Sequence, residues 1–204
     1  MKRLFLVVAV LLALVAPSLS QANLITNGDF SSGPTPTGPY TTLAAGSNAI
    51  PYWTIGGAGI DYITGLWQAP PGTTRSLDMS ALDAGFVSTT FNTSSGQQYS
   101  ITFALAGNVT GDTKHLEVTV GAYNNIFTFD TAGLSYSNMG WVDQSFTVTG
   151  NGAPMTLTFT SLDGSSAGPA LGNVRVDAVP LPASLLLFAP GLLGLVGMRK
   201  RLKK

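Results

Sequence analysis

Few residues of this chain have the types and spacing that a catalytic site requires. Residues 164–168 read Gly-Ser-Ser-Ala-Gly, the G-x-S-x-G pattern of serine hydrolases, but a nucleophile elbow needs a strand before it and a helix after it. Here the motif lies in a Gly/Ser-rich loop, and the only histidine, His115, precedes it on a predicted strand. Asp78 and Asp83 have the residue type of a glycosidase pair, although single aspartates in polar turns are far more common. We therefore expect no catalytic residues.

Aromatic residues beside polar ones make a better case for binding. Sugars present apolar C–H faces to aromatic rings and hydroxyl groups to polar side chains, so both residue types are needed together. Trp53 favours a core position, and Trp67 suits a core or a ligand equally well. Arg75 and Asp78 have an alternative role as an internal ion pair. The candidate ligand-binding set is Tyr62, Trp67, Gln68, Arg75 and Asp78.

Alternation of apolar and polar residues predicts the strands that would position these side chains. The alternation has a period of two, which is typical of strands with one buried face. It occurs at residues 99–105, 116–120, 127–129, 146–148, 155–159 and 174–176. Polar, Gly-rich turns separate these segments, and residues 33–38 and 56–59 have the composition of surface loops. Residues 23–178 are therefore predicted to form one all-β domain, an antiparallel β-sandwich or jelly roll.

The amino-terminal segment has the features of a secretory signal peptide. Lys2 and Arg3 precede an apolar run at 4–16, and small residues at Ser20 and Ala22 suit cleavage before Asn23. The sequence therefore predicts a signal helix within residues 1–22 and export of the chain from Asn23 onward. The alternative is an uncleaved amino-terminal anchor, for which a run of about 13 apolar residues is short.

The carboxyl-terminal 26 residues form a tail with three parts. Residues 179–183 read Val-Pro-Leu-Pro-Ala, residues 184–198 are apolar, and residues 199–204 are mostly Lys and Arg. From 183 to 198 a helix would be about 24 Å long, against about 30 Å of hydrocarbon. The basic cluster predicts a cytoplasmic carboxyl terminus and a transmembrane helix in the inner membrane, because no later segment is present to cover a core helix.

Removing both ends changes the charge of the chain. The whole sequence has a net charge of zero, but residues 23–178 hold three basic and ten acidic residues, a net charge of −7. An acidic domain without a basic patch is a poor partner for nucleic acid or anionic lipid. The chain has no cysteine, which excludes disulfides, thiolate catalysis and cysteine metal sites.

The tail resembles a PEP-CTERM sorting signal. In the variant seen here the motif is Val179, Pro180, Leu181, Pro182 and Ala183 in place of Pro-Glu-Pro. The resemblance implies processing by an exosortase, a transpeptidase-like membrane enzyme of Gram-negative bacteria that make exopolysaccharide. It also implies export through the inner membrane to the cell envelope, the outer surface or an extracellular matrix.

Residues 24–177 resemble the choice-of-anchor C type, which is related to a domain of unknown function in plant cell-wall proteins. The resemblance includes Asn-Gly-Asp-Phe at 27–30, Pro-Tyr-Trp-Thr at 51–54 and Leu-Gly-Asn-Val at 171–174. Its other parts are residues 61–63, 67–69, 75–78, 103–108, 138–141, 161–163 and 168–170. It implies a galactose-binding-like jelly roll associated with carbohydrate or cell wall, without catalysis. Most members carry Asp where this chain has Gly172, so no cation ligand is expected there.

The same resemblance implies a structural calcium site where the first and last strands lie side by side. The expected ligands are Asn27, Asp29, Asn173 and Asp177, although Asp29 has an alternative role in capping a turn. No other cofactor is expected.

The sequence leaves three function classes open, in order of preference. The first is a non-catalytic carbohydrate-binding module that is displayed on the envelope or in a polysaccharide matrix. The second is a structural or adhesive biofilm protein that makes only protein contacts. The third is a secreted hydrolase that uses Ser166 or Asp78.

Overall fold

The structure is a computed structural model that describes residues 23–180. The predicted signal helix, the motif residues after Pro180, the transmembrane segment and the basic cluster lie outside the described residues. Within residues 23–180, no helix is long and apolar enough to cross a membrane. The described part contains eleven strands: β1 Tyr40–Leu43, β2 Thr54–Gly57, β3 Ile60–Ile63, β4 Ser76–Asp78, β5 Gly85–Phe91, β6 Gln98–Gly107, β7 Lys114–Val120, β8 Tyr123–Phe129, β9 Val142–Thr149, β10 Met155–Ser161 and β11 Pro169–Ala178.

The strands form two sheets that pack face to face. The six-stranded sheet has the order β1-β3-β4-β11-β6-β9, and the five-stranded sheet has the order β2-β5-β10-β7-β8. Every pair of neighbouring strands is antiparallel. The predicted all-β antiparallel sandwich is therefore confirmed.

The core lies between the sheets and follows from the alternation in the sequence. In β6 and β10 the apolar side chain at every second position points to the opposite sheet, because successive Cβ atoms alternate across a strand. Phe103 of β6 reaches across the sandwich to Phe159 of β10, with ring centroids 5.1 Å apart, and to Phe127 of β8 at 5.2 Å. Trp53 packs 6.5 Å from Phe159 and is 4% exposed, which confirms its predicted core position.

Residues 56–59 do not form the predicted surface loop. Gly56 and Gly57 end β2 in the five-stranded sheet, and the chain crosses to β3 in the six-stranded sheet directly after Gly59. Gly57 and Gly59 have φ of 64° and 90°, which L side chains rarely adopt. Gly57 and Gly59 therefore allow the chain to cross from one sheet to the other within a few residues. Residues 33–38, by contrast, form the predicted loop and are almost entirely exposed.

The first described residues lie beside the last strand. The Leu24 amide donates to the Val176 carbonyl at 2.8 Å, and the Val174 amide donates to the Gly28 carbonyl at 2.8 Å. The Asn23 side chain accepts a hydrogen bond from the Val176 amide at 2.9 Å. The beginning and the end of the domain are therefore held together along β11.

Candidate functional site

A cavity of about 430 Å³ lies on the outer face of the six-stranded sheet, the face that points away from the five-stranded sheet. Tyr62 and Leu77 are paired across β3 and β4 and are buried in the core. Their neighbours Asp61 and Asp78 are paired in the same register and point to the outer face, because side chains alternate. The polar and aromatic part of the cavity lining consists of Tyr40, Thr42, Asp61, Asp78, Asn108, Thr110, Tyr136 and Ser166.

Asp61 is the carboxylate of the cavity that a ligand can reach. The Thr42 hydroxyl donates a hydrogen bond of 2.6 Å to its Oδ1. Partial burial raises the pKa of Asp61 above its ordinary value of 3.8, although the hydrogen bond from Thr42 lowers it. No residue in the described part of the chain donates to the other carboxylate oxygen. That oxygen remains an acceptor for a ligand.

Asp78 forms the buried floor of the cavity and is 1% exposed. Its Oδ1 accepts from the backbone amides of Ser80 at 3.1 Å and Gly168 at 3.0 Å. Its Oδ2 accepts from the Asn108 side-chain amide at 2.9 Å. Burial raises the pKa of Asp78 to about 7; the three donors lower it, and the charge of Asp61 raises it further. The side chain ties β4 to two other segments.

A hydrogen-bond chain connects this floor to the aromatic wall. Asn108 donates to Asp78, and its own side-chain oxygen accepts from the Thr110 hydroxyl at 2.8 Å. The Tyr136 hydroxyl also approaches that oxygen, at 3.4 Å. The position of the Tyr136 ring is thereby linked to the strand that carries Asp78.

Gln68 holds the segment that carries Tyr136. The Gln68 backbone N–H donates to the Tyr136 carbonyl at 2.7 Å, and the Gln68 side-chain oxygen accepts from the Met139 backbone N–H at 3.1 Å. The Trp141 indole N–H donates to the Gln68 carbonyl at 2.8 Å. Trp67, next to it, packs 6.2 Å from the Tyr136 ring and donates to the Ser76 hydroxyl at 2.9 Å. Trp67 is 6% exposed, so it supports the wall rather than presenting its face to solvent.

The five predicted ligand-binding residues therefore occupy three different places. Asp78 lines the cavity, whereas Trp67 and Gln68 hold its wall from behind. Tyr62 lies in the core, 1% exposed, and its hydroxyl donates to the Phe30 carbonyl at 2.7 Å. Burial raises the pKa of Tyr62, and the nearby charge of Arg75 lowers it, so Arg75 lies beside this tyrosine.

Arg75 and Asp78 do not form the alternative ion pair. The Arg75 guanidinium donates to the Thr74 carbonyl at 2.8 Å, and the ion pairs among residues 23–180 are His115–Asp163 and Arg175–Asp177. β4 alternates between the two faces, so Asp78 points away from the core.

Four residues of the cavity could not be recognised as site residues from the sequence alone: Tyr40, Thr42, Asn108 and Tyr136. Asp61 belongs to residues 61–63 of the family resemblance but carries no binding role there. The pattern Ile60-Asp61-Tyr62 carries a usable signal, because a carboxylate between two apolar residues of a strand must point away from the core.

The hydrolase motif does not assemble a triad. Ser166 lines the cavity from the predicted loop at 164–168, but His115 lies elsewhere, with its Nδ1 3.0 Å from Asp163 Oδ1. Among the described residues, no hydrogen bond joins His115 to a serine. Asp83 accepts from the Ala84 amide at 2.7 Å and does not line the cavity, so it forms no pair with Asp78 there.

A second, smaller cavity of about 280 Å³ contains three of the predicted calcium ligands: Asn27, Asp29 and Asn173. The Asn27 side-chain oxygen already accepts from the Ser32 amide at 2.9 Å, and Asp29 accepts from the Ser31 amide at 3.1 Å. Within the described segments, no three acidic, His or Cys residues are grouped to hold a metal.

The fourth predicted ligand, Asp177, is outside this cavity and contacts Arg175 at 3.4 Å. The calcium ion therefore stays a prediction. Gly172 has a packing role, since a Cβ there would lie 2.4 Å from Pro70 Cγ.

Solved structures that this chain resembles include three carbohydrate-binding modules. TmCBM61, solved in complex with β-1,4-galactotriose, is 13% identical with a TM-score of 0.54, and the match covers 78% of this chain and 99% of that chain. The CBM35 from Paenibacillus barcinonensis is 20% identical with a TM-score of 0.46, covering 68% of this chain and 99% of the other. The family 35 module from Clostridium thermocellum is 14% identical with a TM-score of 0.47, covering 67% and 97%. A comparison with curated proteins gives no match.

The architecture is thus the two-sheet antiparallel sandwich seen in TmCBM61. The sequence then identifies the family. The family model described as protein of unknown function (DUF642) matches residues 23–177, which is nearly the whole described segment. This chain belongs to the DUF642 family.

Proposed function

We propose that this protein is a non-catalytic carbohydrate-binding module whose ligand occupies the cavity on the outer face of the six-stranded sheet. The observation that carries the proposal is the open oxygen of Asp61 in a cavity that two tyrosines also line. Tyr40 is 45% exposed and lines the cavity together with Tyr136, so an aromatic surface and a polar acceptor face the same space. A pyranose has an apolar face and several hydroxyl donors, and both find partners here.

The comparison with TmCBM61 supports this proposal, because that module has the same fold and was solved with a galactotriose. The arrangement of the acids supports binding over hydrolysis. Asp78 is 1% exposed and accepts three N–H hydrogen bonds, which hold it in the floor of the cavity and not against a substrate.

The protein acts, in this proposal, outside the cell. The signal peptide at 1–22 directs export, and an exosortase processes the tail at 179–204 after it has held the protein in the inner membrane. The destination is the envelope, the outer surface or a polysaccharide matrix. The support for this part is the order of motif, apolar run and basic cluster in the tail.

Binding is tested by retention of the protein on immobilised polysaccharides, with Tyr40→Ala as the perturbation. We expect the wild type to be retained on at least one polymer and the variant to lose roughly tenfold in affinity, since stacking on an exposed ring contributes about 1 kcal/mol or more. Tyr52→Ala is the matched control, because Tyr52 is 69% exposed and lies outside the cavity. Equal loss in both variants, or no retention of the wild type on any polymer, would refute the proposal.

Sorting is tested separately by mass spectrometry of the mature carboxyl terminus in cells with and without the exosortase. We expect a terminus within or near residues 179–183 only when the enzyme is present. A terminus at Lys204 in both strains would leave the tail as an ordinary membrane anchor.

A further inference from the structure

Among the described residues, the side chains of acidic or basic type that line the cavity are all acidic. Asp61 and Asp78 face it from adjacent strands, and no Lys, Arg or His of the described chain contributes to its lining. Lys114 is 4% exposed and is not part of the lining; its ammonium group donates to the carbonyl of the lining residue Thr110 at 3.0 Å. Arg75 is beside Tyr62 on the other side of the sheet.

We propose that this cavity selects uncharged sugars and rejects acidic ones such as uronates and sulfated sugars. This inference rests on the proposed carbohydrate-binding function and specifies its ligand class. A carboxylate or sulfate placed in the cavity would lie close to Asp61 with no cation to offset the repulsion. Specificity here comes from an unfavourable contact with the wrong ligand as much as from a favourable contact with the right one.

The favourable contact comes from the same carboxylate. Thr42 occupies one oxygen of Asp61 and fixes the orientation of the group, so that the second oxygen is held in place for a sugar hydroxyl. A hydrogen bond to a charged acceptor is stronger than one between neutral groups. Tyr40 supplies the ring surface, and Leu82, which is 84% exposed beside the cavity, adds apolar area for the C–H face of a neutral sugar.

The charge of the whole domain acts in the same direction. Residues 23–178 carry a net charge of −7, so an acidic polymer is repelled before it reaches the cavity. This long-range part is screened by salt, whereas the repulsion inside a partly buried cavity is screened much less. Selectivity that persists at high ionic strength therefore reports the cavity itself.

The test compares two matched pairs of polymers with the full chain: β-1,4-galactan with its C6-oxidised uronate form, and xylan with glucuronoxylan. We expect the neutral member of a pair to bind at least about tenfold more tightly, at both ~0.05 M and ~0.5 M salt. Equal or tighter binding of the acidic member at high salt would overturn the inference. If that binding still depended on Tyr40, the proposed carbohydrate-binding function would stand and only the inferred selectivity would fall. Failure to be retained on any of the four polymers would count against both the proposed function and the inferred selectivity.

Asp61→Asn gives a second readout. The variant is expected to lose about tenfold in affinity for the neutral polymer and to discriminate less against the acidic one, because the repelling charge is gone. Asp143→Asn is the matched control: Asp143 is exposed on β9, in the same sheet, and outside the cavity lining. A change of selectivity in Asp143→Asn equal to that in Asp61→Asn would place the effect in the net charge and refute the role of the cavity.

Discussion

Replacement of Asp78 by Asn should change how the stability of the domain depends on pH. The pKa of Asp78 is about 7 in the folded protein, against an ordinary value of 3.8 that applies to the unfolded chain. Between these values the folded state binds more protons than the unfolded state, so the free energy of unfolding falls as pH rises. The contribution of Asp78 to the free energy of unfolding is fully present below about pH 4 and is lost above about pH 7. A difference of about 3 pKa units corresponds to about 4 kcal/mol.

The Asn variant removes this titration but keeps most of the geometry. Its side-chain oxygen can accept from the Ser80 and Gly168 amides as the carboxylate does, at 3.1 and 3.0 Å. Its amide nitrogen, however, meets the Asn108 amide, which donates to Asp78 in the wild type. Two facing donors cost about 1–3 kcal/mol. We expect the variant to be less stable than the wild type at about pH 5 and equally or more stable at about pH 8.5.

The measurement is urea denaturation at several pH values between about 5 and about 8.5, followed by tryptophan fluorescence. The other titrating groups are present in both proteins and cancel in the difference. Asp143→Asn, which changes an exposed carboxylate, should follow the wild type at every pH. A constant difference between Asp78→Asn and wild type over this whole range would show that the burial of Asp78 does not control its titration.

Three further predictions concern stability, each measured by urea denaturation. Phe159→Ala should cost about 3–5 kcal/mol, because the ring is fully buried against Phe103, and a loss below about 1 kcal/mol would contradict that packing. Tyr62→Phe should cost about 1 kcal/mol through loss of its hydrogen bond to Phe30 and leave polysaccharide binding unchanged; weaker binding would give Tyr62 a role in the site. Tyr52→Gly should stabilise by about 1 kcal/mol, since Tyr52 has φ of 72° in an exposed turn, and destabilisation would mean that its ring makes an essential contact.

β6, β7 and β10 could be predicted because their sequence alternates over seven to ten residues, whereas β5, at seven residues, is not among the predicted segments. β7 and β10 bury every second side chain over their whole length, and β6 does so up to Phe103, after which every residue is buried. β1 to β4 are three or four residues long, which is too short for a period to be visible. Their strand character comes from pairing with distant segments.

The cavity was harder to predict because sheet order assembles it. Asp61 and Asp78 are 17 positions apart, and only the register of β3 with β4 makes them neighbours. Asn108 and Tyr136 reach the same place from loops after β6 and β8. The residue type of Trp67 suggested a ligand contact. In the structure the neighbouring Gln68 holds the segment of Tyr136 against the Trp67 ring. The type of a residue does not predict which distant segments will bury it.

The position of β11 has a mechanical consequence. This strand is the last element before the tail, yet it lies inside the six-stranded sheet between β4 and β6 rather than at an edge. A pull on the carboxyl end of the domain would therefore load the hydrogen bonds of β11 to β6 along the strand, together with those to the segment at 23–28. Bonds loaded in this direction share the force, whereas an edge strand peels away one bond at a time. A force applied at the carboxyl end of the domain would thus act on a strand that is paired on both sides.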